Sequence, residues 1–137
     1  MNELLDSLVE LIRRTSAEIP EDVNQALIQS LENEKKGTIA ASTLKIIEQN
    51  IALAKKKSQP ICQDTGSILF YVDGPVGFDQ ITFGETARAA VTLATKKGYL
   101  RQNSVDSLTG KTTAPTWGRA RPRCIFISTA PPRSACG

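Results

Sequence analysis

The 137-residue chain has no histidine, an unusual gap for a complete intracellular enzyme, and only 5% of it is aromatic. Acid–base or metal chemistry in this chain must therefore rest on carboxylates, thiols, amides and cationic side chains. Long apolar runs are missing too. None approaches the roughly 18–20 residues needed to cross a bilayer. The opening MNELLDSLVELI is acidic and amphipathic, unlike a secretory leader with its basic start and solid apolar centre. A soluble, cytoplasmic protein with no membrane partner is expected.

Acidic residues are absent from the whole C-terminal stretch. All 14 precede position 111, whereas five of the 17 basic residues, Lys111, Arg119, Arg121, Arg123 and Arg133, lie from 111 onward. The formal net charge of +3 is therefore a property of the tail. No basic stripe with interleaved aromatics runs through the rest, which argues against nucleic acid as a partner. With 40% apolar and 23% charged residues, the composition is that of a globular domain, or a piece of a larger one.

Residues 111–137, KTTAPTWGRARPRCIFISTAPPRSACG, hold four of the seven prolines and two of the three cysteines. They show no helical period, and only Cys124–Ser128 has the composition of a short strand. Two readings stay open. One is a basic, proline-rich disordered tail following a folded region of residues 1–110. The other is a reading-frame slip near Lys111, since with suitable synonymous codons the neighbouring frame encodes N-L-G-P-G-T-P followed by histidines.

Upstream, periodicity predicts four helices and a strand. Leu4, Leu5, Leu8, Val9, Leu11 and Ile12 recur at helical spacing, with Asn2 as N-cap. Pro20, Glu21 and Asp22 suit the first turn of a second helix, expected to end on Lys35 and Lys36 and to stop at Gly37. A third covers about Ala40–Lys57, with Leu44, Ile47, Ile51 and Ala54 on one stripe. Pro60 forces its end. Ser67–Asp73 reads as a largely buried strand, and Gly74, Pro75 and Gly77 turn the chain. Thr82 and Glu85 predict a capping box opening an alanine-rich helix that runs to Gly98 and suits close packing. The expected fold class is α+β, an N-terminal helical region packed with a short sheet, in an incomplete domain with an irregular C-terminal tail.

Between the third helix and the strand lies QPICQDTGSILFYV, residues 59–72. A loop held by rigid elements can aim several side chains, and Gly66 permits a positive φ there. Cys62 is a candidate metal ligand and Asp64 a candidate catalytic acid. The plainer alternative makes Cys62 a small buried apolar residue and Asp64 the cap of a turn. The D-T-G triplet alone would fit a retroviral-type aspartic protease, but that fold is nearly all β and here the triplet follows a long helical stretch.

The longer string discriminates further. P-I-C-Q-D-T-G, followed about 35 residues later by Y-L-R-Q-N-S-V-D-S-L-T-G-K, resembles the iron–sulfur hydro-lyases, the class I fumarate hydratases and tartrate dehydratase α subunits. The resemblance spans residues 1–110, with Ser107 in place of the family's usual proline. The neighbouring-frame N-L-G-P-G-T-P also looks like the family's next segment. The resemblance implies a 4Fe–4S cluster whose three cysteine ligands come from distant parts of a complete protein. Cys62 matches the first of these. Gln63, Asp64 and Arg101 match substrate-contacting positions, with Asp64 as the catalytic proton carrier. The implied reaction is reversible addition or removal of water on a dicarboxylic acid, fumarate/malate or tartrate/oxaloacetate. Implied partners are that diacid, a β subunit or C-terminal domain of the same enzyme, and a homo- or hetero-oligomer. Cys124 and Cys136 match no family ligand, and their spacing fits no common cluster run. The fragment alone is expected to be inactive. The non-enzymatic alternative is a helical interaction module whose Pro/Arg tail recruits a partner.

Overall fold

The computed structural model describes residues 3–62, 68–101 and 123–128. Four helices and two strands follow one another as α1 (Glu3–Ala17), α2 (Glu21–Asn33), α3 (Ile39–Lys57), β1 (Leu69–Gly74), α4 (Gln80–Lys96) and β2 (Arg123–Ser128). The architecture is α+β, mostly helical with one small parallel sheet. Asn2, the expected cap of α1, lies outside the described residues, as does most of the tail. The one tail segment expected to form a strand does so, one residue longer than foreseen.

The core is built on α1, α4 and the sheet. Leu8, Val9 and Ile12 on α1 meet Phe83, Ala87, Ala90, Val91 and Ala94 on α4, with Phe70 of β1 completing the cluster. The alanines lie at helical spacing and are fully buried, so the two helix backbones approach closely, as the composition of α4 predicts. All four phenylalanines of the chain gather at the sheet end of this core. Phe83 stacks edge-on against Phe70 (6.4 Å between centroids) and Phe126 (5.8 Å), the arrangement that ring quadrupoles favour. Phe126 ties β2 to the first turn of α4.

Several element ends differ from expectation, each for a local reason. α2 stops at Asn33 with Glu34 already extended, so Gly37 (φ +87°) serves the turn into α3 rather than closing α2. That turn is set by Thr38, whose Oγ1 accepts from Ala41 N–H at 3.1 Å and so caps α3. The capping box at Thr82 is replaced by an earlier cap. Asp79 accepts from the N–H groups of Ile81 and Thr82, both at 3.0 Å, and from the Thr82 hydroxyl at 2.6 Å. One carboxylate satisfies two orphan donors, leaving Glu85 a full turn inside the helix. These bonds hold the Asp79 carboxyl below its ordinary range, the Thr82 hydroxyl first among them.

Candidate functional site

The approach to Cys62 begins where α3 ends. Ser58 takes the left-handed conformation (φ 52°), and Gln59 N–H reaches back to Ala54 O at 3.1 Å, closing the helix before Pro60. Arg13 of α1 donates to Ser58 Oγ at 3.4 Å. The same guanidinium is gripped by Glu10 (2.7 Å) and Glu18 (3.0 Å), which raise its pKa further and hold it as a cation. In return the hydrogen bond from Arg13 lowers the carboxyl of Glu10.

Ile61, the residue before Cys62, is held through both backbone groups. Its N–H donates to Ser16 O at the end of α1 (3.0 Å), and its carbonyl accepts from Asn50 Nδ2 of α3 (3.0 Å). Two helices thus fix where the segment emerges. Cys62 itself is exposed and free. The plainer alternative, a small buried apolar residue, is not what this chain shows at Cys62. Gln63 and Asp64 lie outside the described residues. Beyond them Ile68 packs on the core, and its carbonyl accepts from Arg123 N–H at 3.1 Å.

Arg101 follows a segment packed on the same core. α4 ends in a turn with Gly98 at φ +79° and Tyr99 N–H bonded to Ala94 O at 3.0 Å. Tyr99 and Leu100 then pack against the cluster, and Arg101 is exposed. Ile68, Tyr99 and Leu100 contact one hydrophobic cluster, so the flanks of both motifs are rooted in a single packed unit. Asn103, Asp106 and Ser107 lie outside the described residues.

Cys124 is a different kind of thiol. It sits on the inner face of β2 against the core, and burial pushes its pKa up, partly offset by nearby Arg88. A metal ligand must be a thiolate, which that setting disfavours. Among the described residues no three of histidine, cysteine, aspartate and glutamate come together to hold a metal ion. No described helix is long and apolar enough to cross a membrane. Sequence reasoning missed Arg13, Ser16 and Asn50 entirely. Only the stop at Pro60 hinted that the segment after α3 would be held.

An exposed cysteine delivered by a clasped helix end, and an arginine leaving the same core, define a chain of mixed α+β type with a thiol presented to the outside. Comparison with known proteins supplies the class. The model of the fumarate hydratase (fumerase) family matches residues 5–133. A candidate class I fumarate hydratase of Geobacillus stearothermophilus is 43% identical over 126 residues, 92% of this chain and 24% of that protein. A candidate L(+)-tartrate dehydratase subunit alpha of Methanocaldococcus jannaschii is 36% identical over 110 residues, 78% of this chain and 38% of that protein. The chain belongs to the fumarate hydratase family of hydro-lyases, and it spans well under half the length of these relatives.

Proposed function

We propose that this chain is the N-terminal part of a 4Fe–4S-dependent hydro-lyase that reversibly adds or removes water on a dicarboxylic acid, fumarate/malate or tartrate/oxaloacetate. The observation that carries the reading is Cys62, an exposed thiol at the end of a segment stapled to two helices, inside the family's P-I-C-Q-D-T-G string. The described residues suit one corner of such a centre and not the whole of it, because Cys62 has no neighbouring ligand set and Cys124 faces the core. The other thiolates would come from the rest of the catalytic polypeptide, either a C-terminal domain or a β subunit.

When bound, such a cluster supplies a Lewis-acidic iron that polarises a substrate hydroxyl and carboxylate. The chain's own groups do the rest. Cys62 would hold one iron of that cluster through its thiolate. Asp64 takes or returns a proton at the substrate hydroxyl oxygen. Gln63 donates from its amide to a substrate carboxylate. Arg101 grips a carboxylate through two parallel N–H bonds, which a lysine could not reproduce. A cytoplasmic enzyme working as a homo- or hetero-oligomer is part of the same reading.

The test is anaerobic reconstitution with iron and sulfide. The 137-residue chain is expected to hold no stable cluster and to show no malate–fumarate or tartrate–oxaloacetate conversion. A longer form carrying the rest of the subunit is expected to do both and to lose both with Cys62→Ser. A helical interaction module would be indifferent to that substitution, so activity and cluster absorbance surviving it sink the assignment.

A further inference from the structure

β1 and β2 pair in parallel, with Leu69 opposite Arg123, Tyr71 opposite Ile125 and Asp73 opposite Ile127. Alternation gives the pair two distinct faces. Phe70, Val72, Cys124 and Phe126 turn inward onto the core. Leu69, Tyr71, Ile125 and Ile127 form the other face, at 46%, 69%, 42% and 53% exposure. Parallel strands are normally covered on both sides, because the helices that connect them pack on the faces. Here α4, the crossover between β1 and β2, covers one side. No described element packs on the other, and two strands alone are too few for a free-standing sheet. Exposed Asp73 and Arg123 mark opposite ends of this face, so an apolar centre is bounded by charge as in protein interfaces.

We propose that the Leu69, Tyr71, Ile125 and Ile127 face is the docking surface for the remainder of the family's catalytic polypeptide, which lays an amphipathic helix across it. This rests on the reading of the chain as the N-terminal part of a larger hydro-lyase. The occupant follows from length and topology. In the two relatives 76% and 62% of the length lies outside the match (100 − 24 and 100 − 38), so each carries polypeptide able to supply the missing layer. A second copy of this chain would bring another strand pair face to face. The helix-on-sheet pattern set by α4 on the inner face calls instead for a helix.

The experiment mixes the chain with the separately produced part of the Geobacillus stearothermophilus relative that lies outside the matched segment. Size-exclusion chromatography with light scattering, followed by titration calorimetry, reads binding. The wild-type chain is expected to form a one-to-one complex, and Tyr71→Lys with Ile127→Lys to weaken it by about tenfold or more. Circular dichroism and the urea midpoint of the free double variant should match wild type, since both side chains are exposed. Ile46→Lys on α3 is the control and should bind as wild type does. Equal binding by the double variant, no wild-type complex, or dimerisation of the chain alone through this face overturns the proposal. Complex formation without cluster or hydratase activity keeps the surface and sinks the functional reading.

Discussion

Two halves of the molecule hold their helices in opposite ways. α1 and α4 bury Leu8, Val9, Ile12, Phe83, Ala87, Ala90, Val91 and Ala94 in one cluster with the sheet. The α2–α3 hairpin buries almost nothing. α2 has no buried residue and α3 only Ala54, while Ile39, Ile46 and Leu53 stand 87%, 65% and 49% exposed. The large apolar side chains of α2 and α3 reach at most half-burial, at Leu27, Leu31, Leu44 and Ile51. Isolated helices of this length are marginal in water. The hairpin therefore persists through local devices, the Thr38 cap and the Ser58 stop, and through its tether to α1. Burial fixes one half and end-chemistry the other.

The sharpest way to break that contrast is to remove one large side chain from the packed half. Phe83 touches three other phenylalanines. Phe83→Ala is expected to cost about 3–5 kcal/mol in urea unfolding, enough to unfold much of a domain of marginal stability. A loss below about 1 kcal/mol would mean that the aromatic cluster is not a core. In the hairpin the weak point is the cap. Thr38→Ala leaves the Ala41 N–H without its acceptor and is expected to cost about 1 kcal/mol. Hydrogen exchange should speed up first in residues 39–42, and uniform acceleration across α1 and α4 would show that the two halves unfold as one.

The sequence was legible where a repeating pattern carries the information. Apolar spacing located all four helices, and composition located β1, although the strand read as largely buried buries only Phe70. The alanines of α4 announced close packing against a neighbour, which is α1. The site motif was legible because cysteine, amide, acid and glycine stand in an uncommon order with a second string downstream. Element ends were less so. A cap is decided by which oxygen reaches first, and Asp79 reached two N–H groups before Thr82 and Glu85 could form their own pair. The clasp on Ile61 was invisible, since Ser16 and Asn50 are brought to it by tertiary packing and neither carries a local signal. Parallel pairing of β1 with β2 was equally hidden, because its partner lies beyond α4 in a stretch whose composition resembles a tail. The exposure of Cys62, which decides between buried filler and presented thiol, needed coordinates.

A smaller effect separates charge from shape at the start of α4. The Asp79 carboxyl is lowered below its ordinary 3.8 by the Thr82 hydroxyl, the Thr82 N–H and the Ile81 N–H. A group depressed in the folded state stabilises above its unfolded pKa and stops doing so as pH falls through the folded value. Stability should therefore hold from neutral pH down to about pH 4 and decline below it. Asp79→Asn keeps an acceptor at the cap, so it should change little at neutral pH and flatten that acid decline. Urea midpoints measured across this range give the answer, and an unchanged acid slope in the variant would assign it to other carboxylates.

The smallest effect is expected where the hairpin is most open. Ile39, Ile46 and Leu53 recur every seven residues along one side of α3, away from the half-buried stripe of Leu44 and Ile51. A side chain 65% exposed has little contact to lose, so Ile46→Ala should change stability by less than about 0.5 kcal/mol, and the better helix former at that position can offset part of it. A cost near that of a core substitution would mean that the stripe is covered in solution. Dilution then tells how: a cost that disappears at low protein concentration marks self-association through α3, and one that persists marks a hairpin folded back on its own chain.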